Sequence, residues 1–327
     1  MIDRRTSFSH ALVITGPTAA GKTEVALELA RHVPAEIISA DSRQVYRDMD
    51  IGTAKPTPEQ LRQAPHHFID IRNPDEIYTA GEYGRAARRV VLDILNAGKL
   101  PLIVGGSGFY LQALLEGFSA ALPSDLSVRA HLKHRLQNEG SSALHAELKQ
   151  IDPQAAARLH INDAHRIVRA LEVYQISGLS LSALQQQKAE PAPFAYLVFC
   201  LTMDRARLYQ RINRRVEQML EAGLLDECRR LHALGFSRDL NALQTVGYQE
   251  CFQFLAGEIS FETMKELIQR HTRQYAKRQL TWFRKMAHCE WITIEEDQTA
   301  TALAFEITQR MNIRRNAKSF PEKRSTK

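Results

Sequence analysis

Gly16-Pro17-Thr18-Ala19-Ala20-Gly21-Lys22-Thr23 fits the pattern G-x-x-x-x-G-K-[ST] at every defined position. The residues before it, Ala11–Thr15, form an apolar run. After it, from Lys22 to His32, apolar residues recur with helical spacing at Val25, Ala26, Leu29 and Ala30. A strand, a glycine loop and a helix in that order make a cradle for phosphate oxygens. The glycines let the backbone curl closely, and its N–H groups and the helix N-terminus present positive partial charge. Lys22 adds a full charge, and the Thr23 hydroxyl is suited to hold Mg²⁺. The pattern calls for a polyphosphate without specifying which one.

Working outward, the same alternation continues. Ala35–Ala40 is a second apolar run and ends in Asp41. His67–Ile71 reads as a short strand. Ala80–Asn96 reads as an amphipathic helix stopped at Gly98, and Leu100–Val104 as a strand ending in Gly105-Gly106. Strands alternating with helices imply a parallel sheet, with ligands bound at the carboxyl ends of its strands. The expected fold class is therefore α/β: a P-loop-type parallel sheet core flanked by helices. From about Pro123 to Gln187 only helices are legible, with breaks at Gly140, Pro153 and Gly178. Tyr196–Thr202 then returns as a strand, the chain after Asp204 is mostly helical to Met286, and Trp291–Ile294 can add a last strand. The organisation expected is a first part of the core at 1–122, a helical insertion at 123–190, a return to the core with C-terminal helices at 191–313, and a basic, disordered tail at 314–327.

The 327 residues carry a net charge of +6, and the tail accounts for most of it: Arg314, Arg315, Lys318, Lys323, Arg324 and Lys327 stand against Glu322 alone. The body still has basic stretches, including five arginines without an acid from Arg205 to Arg215. Arg207, Arg211 and Arg215 are spaced i, i+4, i+8 and would repel one another along one helix face unless an anion sits opposite. Cys200, Cys228, Cys251 and Cys289 are widely spaced, which argues for reduced thiols and against a zinc site. No 18-residue apolar run and no signal-peptide pattern is present, so no membrane partner and a cytoplasmic location are expected. On the residues alone, Asp41 can hold magnesium or accept a proton. The classes open at this point include a P-loop small-molecule kinase or NTPase and a non-catalytic RNA-binding P-loop protein.

Further segments narrow the choice. GPTAAGKT (16–23), ADSRQVYRDMDIGTAKP (40–56), PHHFIDI (65–71), GGSGFY (105–110), HRIVRALEVY (165–174), TVGYQE (245–250) and AKRQLTWFRK (276–285) follow in that order. Together they resemble the bacterial tRNA dimethylallyltransferases, over about residues 11–293. One departure is visible: the family commonly has Thr as the third residue of its GGTGLY-type segment, where this chain has Ser107. The hydroxyl remains and the methyl that restricts its rotamer is gone.

The resemblance implies that Gly16, Pro17, Thr18, Ala19, Ala20, Gly21, Lys22 and Thr23 grip the diphosphate of dimethylallyl diphosphate rather than a nucleotide. The five-carbon group passes to the exocyclic amine of the adenosine 3′ to the anticodon, in tRNAs reading codons that begin with U. Magnesium assists, on Thr23 and with Asp41 as a possible second ligand. Asp41 is then the base, Ser107 a donor to the bridging oxygen, and Lys22 and Arg215 the cationic clamp. Asp50 and Asp70 are the next carboxylates to consider. The tRNA contacts implied are Asp41, Ser42, Arg43, Gln44, Ser107, Arg129, His165, Arg166, Ile167, Val168, Arg169, Gln244, Thr245, Val246, Gly247, Tyr248, Gln249, Arg278, Gln279, Arg284 and Lys285. Tyr248 offers an aromatic for base stacking, whereas Trp282 and Phe283 suit an RNA surface or the core equally. The expected partners are the anticodon stem-loop and dimethylallyl diphosphate, and the expected state is a monomer.

Overall fold

The structure is a computed structural model and describes residues 8–118, 125–186 and 189–318. Six parallel strands form one sheet in the order β3-β2-β4-β1-β5-β6. They are β1 (His10–Thr15), β2 (Ala35–Ser39), β3 (His66–His67), β4 (Leu100–Val104), β5 (Ala195–Thr202) and β6 (Cys289–Thr293). The middles of the central strands are apolar because helices cover both faces. Leu12 and Ile14 join one core cluster with Phe199, Leu201 and Ile292, while the alternating Val13 and Ile103 are buried as well. Each such side chain contributes roughly 1.5–3 kcal/mol of burial.

Local chemistry sets the element ends. The helix α1 (Lys22–His32) begins at Gly21, which is left-handed with φ 86° and offers no side-chain cap. Helix α2 (Pro58–Leu61) and helix α3 (Ala80–Asn96) both start in capping boxes, Thr57 with Gln60 and Thr79 with Glu82. Gly98, at φ 71°, ends the turn after α3. Helix α4 (Gly108–Leu115) follows β4. The strand expected over His67–Ile71 shrinks to His66–His67. Phe68 and Asp70 take left-handed φ of 64° and 56°, and the Phe68 ring turns onto Tyr83, 5.1 Å between centroids.

Residues 115–192 form a second compact unit, and residues 1–114 and 193–327 the first. The second unit is helical: α5 (Leu126–Ile151) interrupted at Gly140 (φ 81°), α6 (Pro153–Arg158), α7 (Ala164–Ser177) ended by left-handed Gly178, and α8 (Leu181–Gln186). Its core joins Leu132, Leu144, Leu148, Ile167 and Leu171. The first unit continues through α9 (Arg205–Glu221), α10 (Leu224–Ala233), α11 (Tyr248–Leu255) and α12 (Phe261–Phe283). It closes with α13 (Ala300–Lys318), which packs on α1 through the cluster that includes Leu303, Ala304 and Ile307. The basic segment expected to be a disordered tail therefore begins as helix through Lys318, and its residues 319–327 lie outside the described residues.

Candidate active site

A cavity of about 560 Å³ opens at the carboxyl end of the sheet, within the first unit. The glycine loop after β1 forms its floor. Gly16, at φ 140°, lies so close to β5 that a Cβ there would stand 2.5 Å from the Leu201 carbonyl. Gly105 approaches the backbone after β2 more closely still, and leaves no room for a Cβ against the Ala40 carbonyl. Thr15 Oγ1 donates to the Gly105 carbonyl at 2.9 Å, joining the ends of β1 and β4. Because α1 has no side-chain cap, its first-turn amides remain for an anion.

Cations gather above that floor. Lys22 Nζ donates to the carbonyls of Gly16 at 3.1 Å and Pro17 at 2.8 Å. Burial, and then the nearby Arg215 guanidinium, lower its pKa to about 8, against the opposing pull of Asp41. Arg211, Arg214, Arg215 and Gln218 of α9 line the same wall. Burial likewise lowers the Arg215 pKa, Glu24 and Asp41 oppose it, and Arg211 adds to it. Arg207, first of the three spaced arginines, is used structurally: it donates to the carbonyls of Ile294 at 3.1 Å and Glu296 at 2.8 Å.

The depressed Lys22 pKa has a measurable consequence. A diphosphate ester is already fully ionised above about pH 7, so further alkali changes only the protein. The protonated lysine is the form suited to an anion. Affinity for a diphosphate anion in this cavity should hold below pH 8 and then fall by about tenfold per pH unit towards pH 10. Calorimetric titrations from pH 7 to 10 check this, and a flat profile would mean that Lys22 does not face the ligand.

Asp41 follows β2 and lies on the cavity wall. Its Oδ1 accepts the Arg43 amide at 2.8 Å, a turn that fixes the carboxylate. Ser107 Oγ accepts the Ser42 amide at 2.9 Å and donates to Ser42 Oγ at 3.2 Å, which ties the loop after β4 to the Asp41 loop. Arg43 donates to the backbone carbonyl and side chain of Asn241. Gln44 accepts from Ser39 Oγ at 3.1 Å and donates to the carbonyls of Thr53 and Ala54 at 3.3 and 3.1 Å. Thr23 and Asp41 offer two hard oxygen donors on one cavity. This set fits Mg²⁺, which takes one or two protein oxygens and completes its shell with phosphate and water. Among the described residues no three His, Cys, Asp or Glu cluster as a closed metal cage.

The residues expected at an RNA surface differ in where the structure places them. Ile167 and Val168 are buried in the core of the second unit. Tyr248 is fully buried, with its hydroxyl on Glu227 at 2.6 Å, so its ring is not available to stack on a base. Gln279 is buried as well. Its Oε1 accepts the Thr18 amide at 2.8 Å and its Nε2 donates to the Gly106 carbonyl at 3.0 Å, bolting α12 to the glycine loop. Phe283 is core, while Trp282 packs edge-on against exposed Phe109. Arg129 and Arg169 both donate to the buried carboxylate of Glu172, at 3.0 and 2.8 Å. His165 and Arg166 are exposed, and so are Arg278, Arg284 and Lys285. Gln249 donates to Gln244 at 2.8 Å, Thr245 donates to the Ala242 carbonyl, Gly247 is buried at the start of α11, and Val246 is half-buried.

Arg214, Gln218 and Tyr275 belong to the cavity wall although sequence reasoning did not place them there, whereas Arg211, marked by its spacing, joins them as expected of an anion-facing row. Tyr275 precedes Gln279 by one helical turn, and that polar pair in line with the buried Ile268 and Phe283 was the available signal. Burial, then the charge of Asp41, raises the Tyr275 pKa and keeps its hydroxyl protonated.

A parallel sheet, an uncapped helix behind a glycine loop and a wall of cations define a P-loop-type α/β protein with a site suited to a polyphosphate. A family profile described as IPP transferase matches residues 44–286, and the chain belongs to that family. It is 46% identical over 282 residues to the tRNA dimethylallyltransferase of Thermotoga neapolitana, covering 86% of this chain and 92% of that one. It is 49% identical over 282 residues to tRNA dimethylallyltransferase 1 of Syntrophotalea carbinolica, covering 86% and 90%. Among solved structures, the full-length tRNA isopentenylpyrophosphate transferase of Bacillus halodurans is similar with a TM-score of 0.69 and 37% identity, over 96% of this chain and all of that one. A eukaryotic dimethylallyltransferase acting on tRNA gives a TM-score of 0.76 at 27% identity, over 97% and 82%.

Proposed function

We propose that the chain transfers the dimethylallyl group of dimethylallyl diphosphate to N6 of the adenosine 3′ to the anticodon, in tRNAs that read codons beginning with U. The observation that carries this reading is the meeting of Lys22, Arg215 and Asp41 on one cavity. Cations for a departing anion stand there beside a carboxylate for an amine proton. In the reaction the allylic C–O bond breaks and the diphosphate keeps its electron pair. The N6–C bond forms, and the amine proton passes to Asp41. Lys22, Arg215 and the loop amides stabilise the charge that grows on the leaving oxygen, each such donor being worth about 2.7–4 kcal/mol. Magnesium held by Thr23, with Asp41 beside it, would neutralise diphosphate charge when bound. Adenine's exocyclic amine is a poor nucleophile until its proton is taken, and the base must leave the anticodon stack to reach Asp41.

The kinase or NTPase alternative would need its magnesium-binding Asp at the end of β4 or β3. Gly105-Gly106 follows β4 where a kinase would place its magnesium-binding Asp, and Asp70 is held by Lys55. No described helix is long and apolar enough to cross a membrane, and a monomer acting in the cytoplasm completes the reading. The test is incubation of the purified protein with unmodified tRNA, dimethylallyl diphosphate and magnesium, followed by mass analysis of the nucleosides. Prenylated adenosine is the expected product. Its absence, or ATP hydrolysis stimulated by tRNA, would reject the assignment.

A further inference from the structure

Glu227 of α10 is completely buried and lies outside every motif of the sequence. Both of its oxygens are engaged. Oε2 accepts the backbone amides of Asp50 at 2.9 Å and Ile51 at 2.8 Å, and Oε1 accepts the amide of Gly52 at 3.1 Å and the Tyr248 hydroxyl at 2.6 Å. Three successive backbone N–H groups converging on one anion make a nest, here filled by a side chain of the same protein. A buried carboxylate needs that number of donors to offset its lost hydration.

The nest starts the segment that forms one cavity wall. The Ala54 amide donates to the Ile51 carbonyl and the Lys55 amide to the Asp50 carbonyl, both at 2.9 Å. The carbonyls of Thr53 and Ala54 then receive the Gln44 amide, three residues beyond Asp41. Thr53, Ala54 and Gln44 all line the cavity with Asp41. The Tyr248 ring closes the far side of the nest: a Cβ on Gly52 would stand 2.5 Å from its Cε2. Asn241, in the connection between α10 and α11, holds Arg43 of the same loop.

We propose that Glu227, completed by Tyr248, is a positioning residue for the acceptor base. It fixes the backbone of 50–54, through Gln44 it fixes the 41–44 loop, and so it sets where an adenine amine meets Asp41. The inference rests on the proposed reaction. The diphosphate cradle is built on Gly16–Thr23 and α9, so the two substrates should respond differently to a change at Glu227.

The test uses the full chain with Glu227→Gln and Tyr248→Phe. The side-chain amide introduced by Glu227→Gln can accept through one oxygen only and turns its own donors towards the nest. Loss of a partner that orients a reacting group costs about 10–100-fold in comparable sites. Glu227→Gln should lower kcat/KM for tRNA within that range, with kcat itself reduced, while the Kd for dimethylallyl diphosphate stays within about twofold. Tyr248→Phe keeps the ring over Gly52 and removes one donor, so it should act in the same direction by a smaller factor. A lowered melting temperature with kcat and tRNA KM unchanged in both variants would overturn the proposal, because Glu227 would then only support the fold. Equal weakening of diphosphate binding would overturn it too. If Glu227→Gln does not fold, the same two readouts on Tyr248→Phe decide the matter. A wild-type protein that forms no prenylated adenosine would reject the reaction, and this inference with it, before any variant is measured.

Discussion

Asp41→Asn is expected to lower turnover by about 10²–10⁴, the usual cost of removing a general base, with tRNA affinity changed little. Asparagine keeps the Oδ1 that accepts the Arg43 amide, so the turn at 2.8 Å is preserved. Its amide can still hydrogen-bond an adenine edge but cannot take a proton at neutral pH. Single-turnover measurements with saturating diphosphate ester separate this loss from any change in binding. If Asp41 serves chiefly as a magnesium ligand, raised magnesium should restore part of the rate and the affinity for diphosphate should fall. Near-normal turnover at ordinary magnesium would remove both roles. Asp50 and Asp70 are poor replacements, because Lys55 is bound to both carboxylates and is itself almost fully buried.

Lys22→Ala should reduce turnover by about 10²–10³, in line with the loss of one preorganised donor to a developing oxyanion, and should weaken dimethylallyl diphosphate. Arg215 will recover part of the deficit, since the two cations repel each other and removing one relieves the other. Binding of tRNA should be nearly intact, because the lysine is folded onto its own loop at the floor of the cavity. Filter binding of tRNA beside steady-state rates checks the separation. A tRNA affinity that falls as far as turnover would place Lys22 against RNA rather than diphosphate.

Legibility in the sequence follows the range of the interactions. α1, α3 and β4 are readable to the residue because their ends are written locally, in Gly21, Thr79, Gly98 and Gly105. β3 is not, because Phe68 leaves the ladder to meet Tyr83, which is distant in sequence. The glycine loop, Asp41 and two of the α9 arginines, Arg211 and Arg215, are legible from residue type and spacing, and the structure brings them to one cavity. Gln279, Tyr248 and Glu227 are not legible. Their partners lie 173 residues away for Gln279 and Gly106 and 177 for Glu227 and Asp50, and no local pattern encodes such a contact. Motif residues that look like an RNA-facing set are therefore a mixture. Arg278, Arg284 and Lys285 are exposed, whereas Tyr248 and Gln279 hold the site together from inside.

The position of β5 beside β1 bears on how the protein is made. His10 pairs with Ala195, so a central strand emerges early from the ribosome and its neighbour arrives only after the whole of 115–192 has been synthesised. At roughly 5–20 residues per second, β1 waits on the order of ten to forty seconds with one side unpaired. The intervening unit has no such delay. Its helices contact one another locally, and its two ends are joined by the Ala192 amide on the Leu115 carbonyl at 2.8 Å. Nascent chains should therefore finish the later-starting unit first and close the sheet around an exposed apolar edge afterwards, which makes that interval the one in which a chaperone has something to hold.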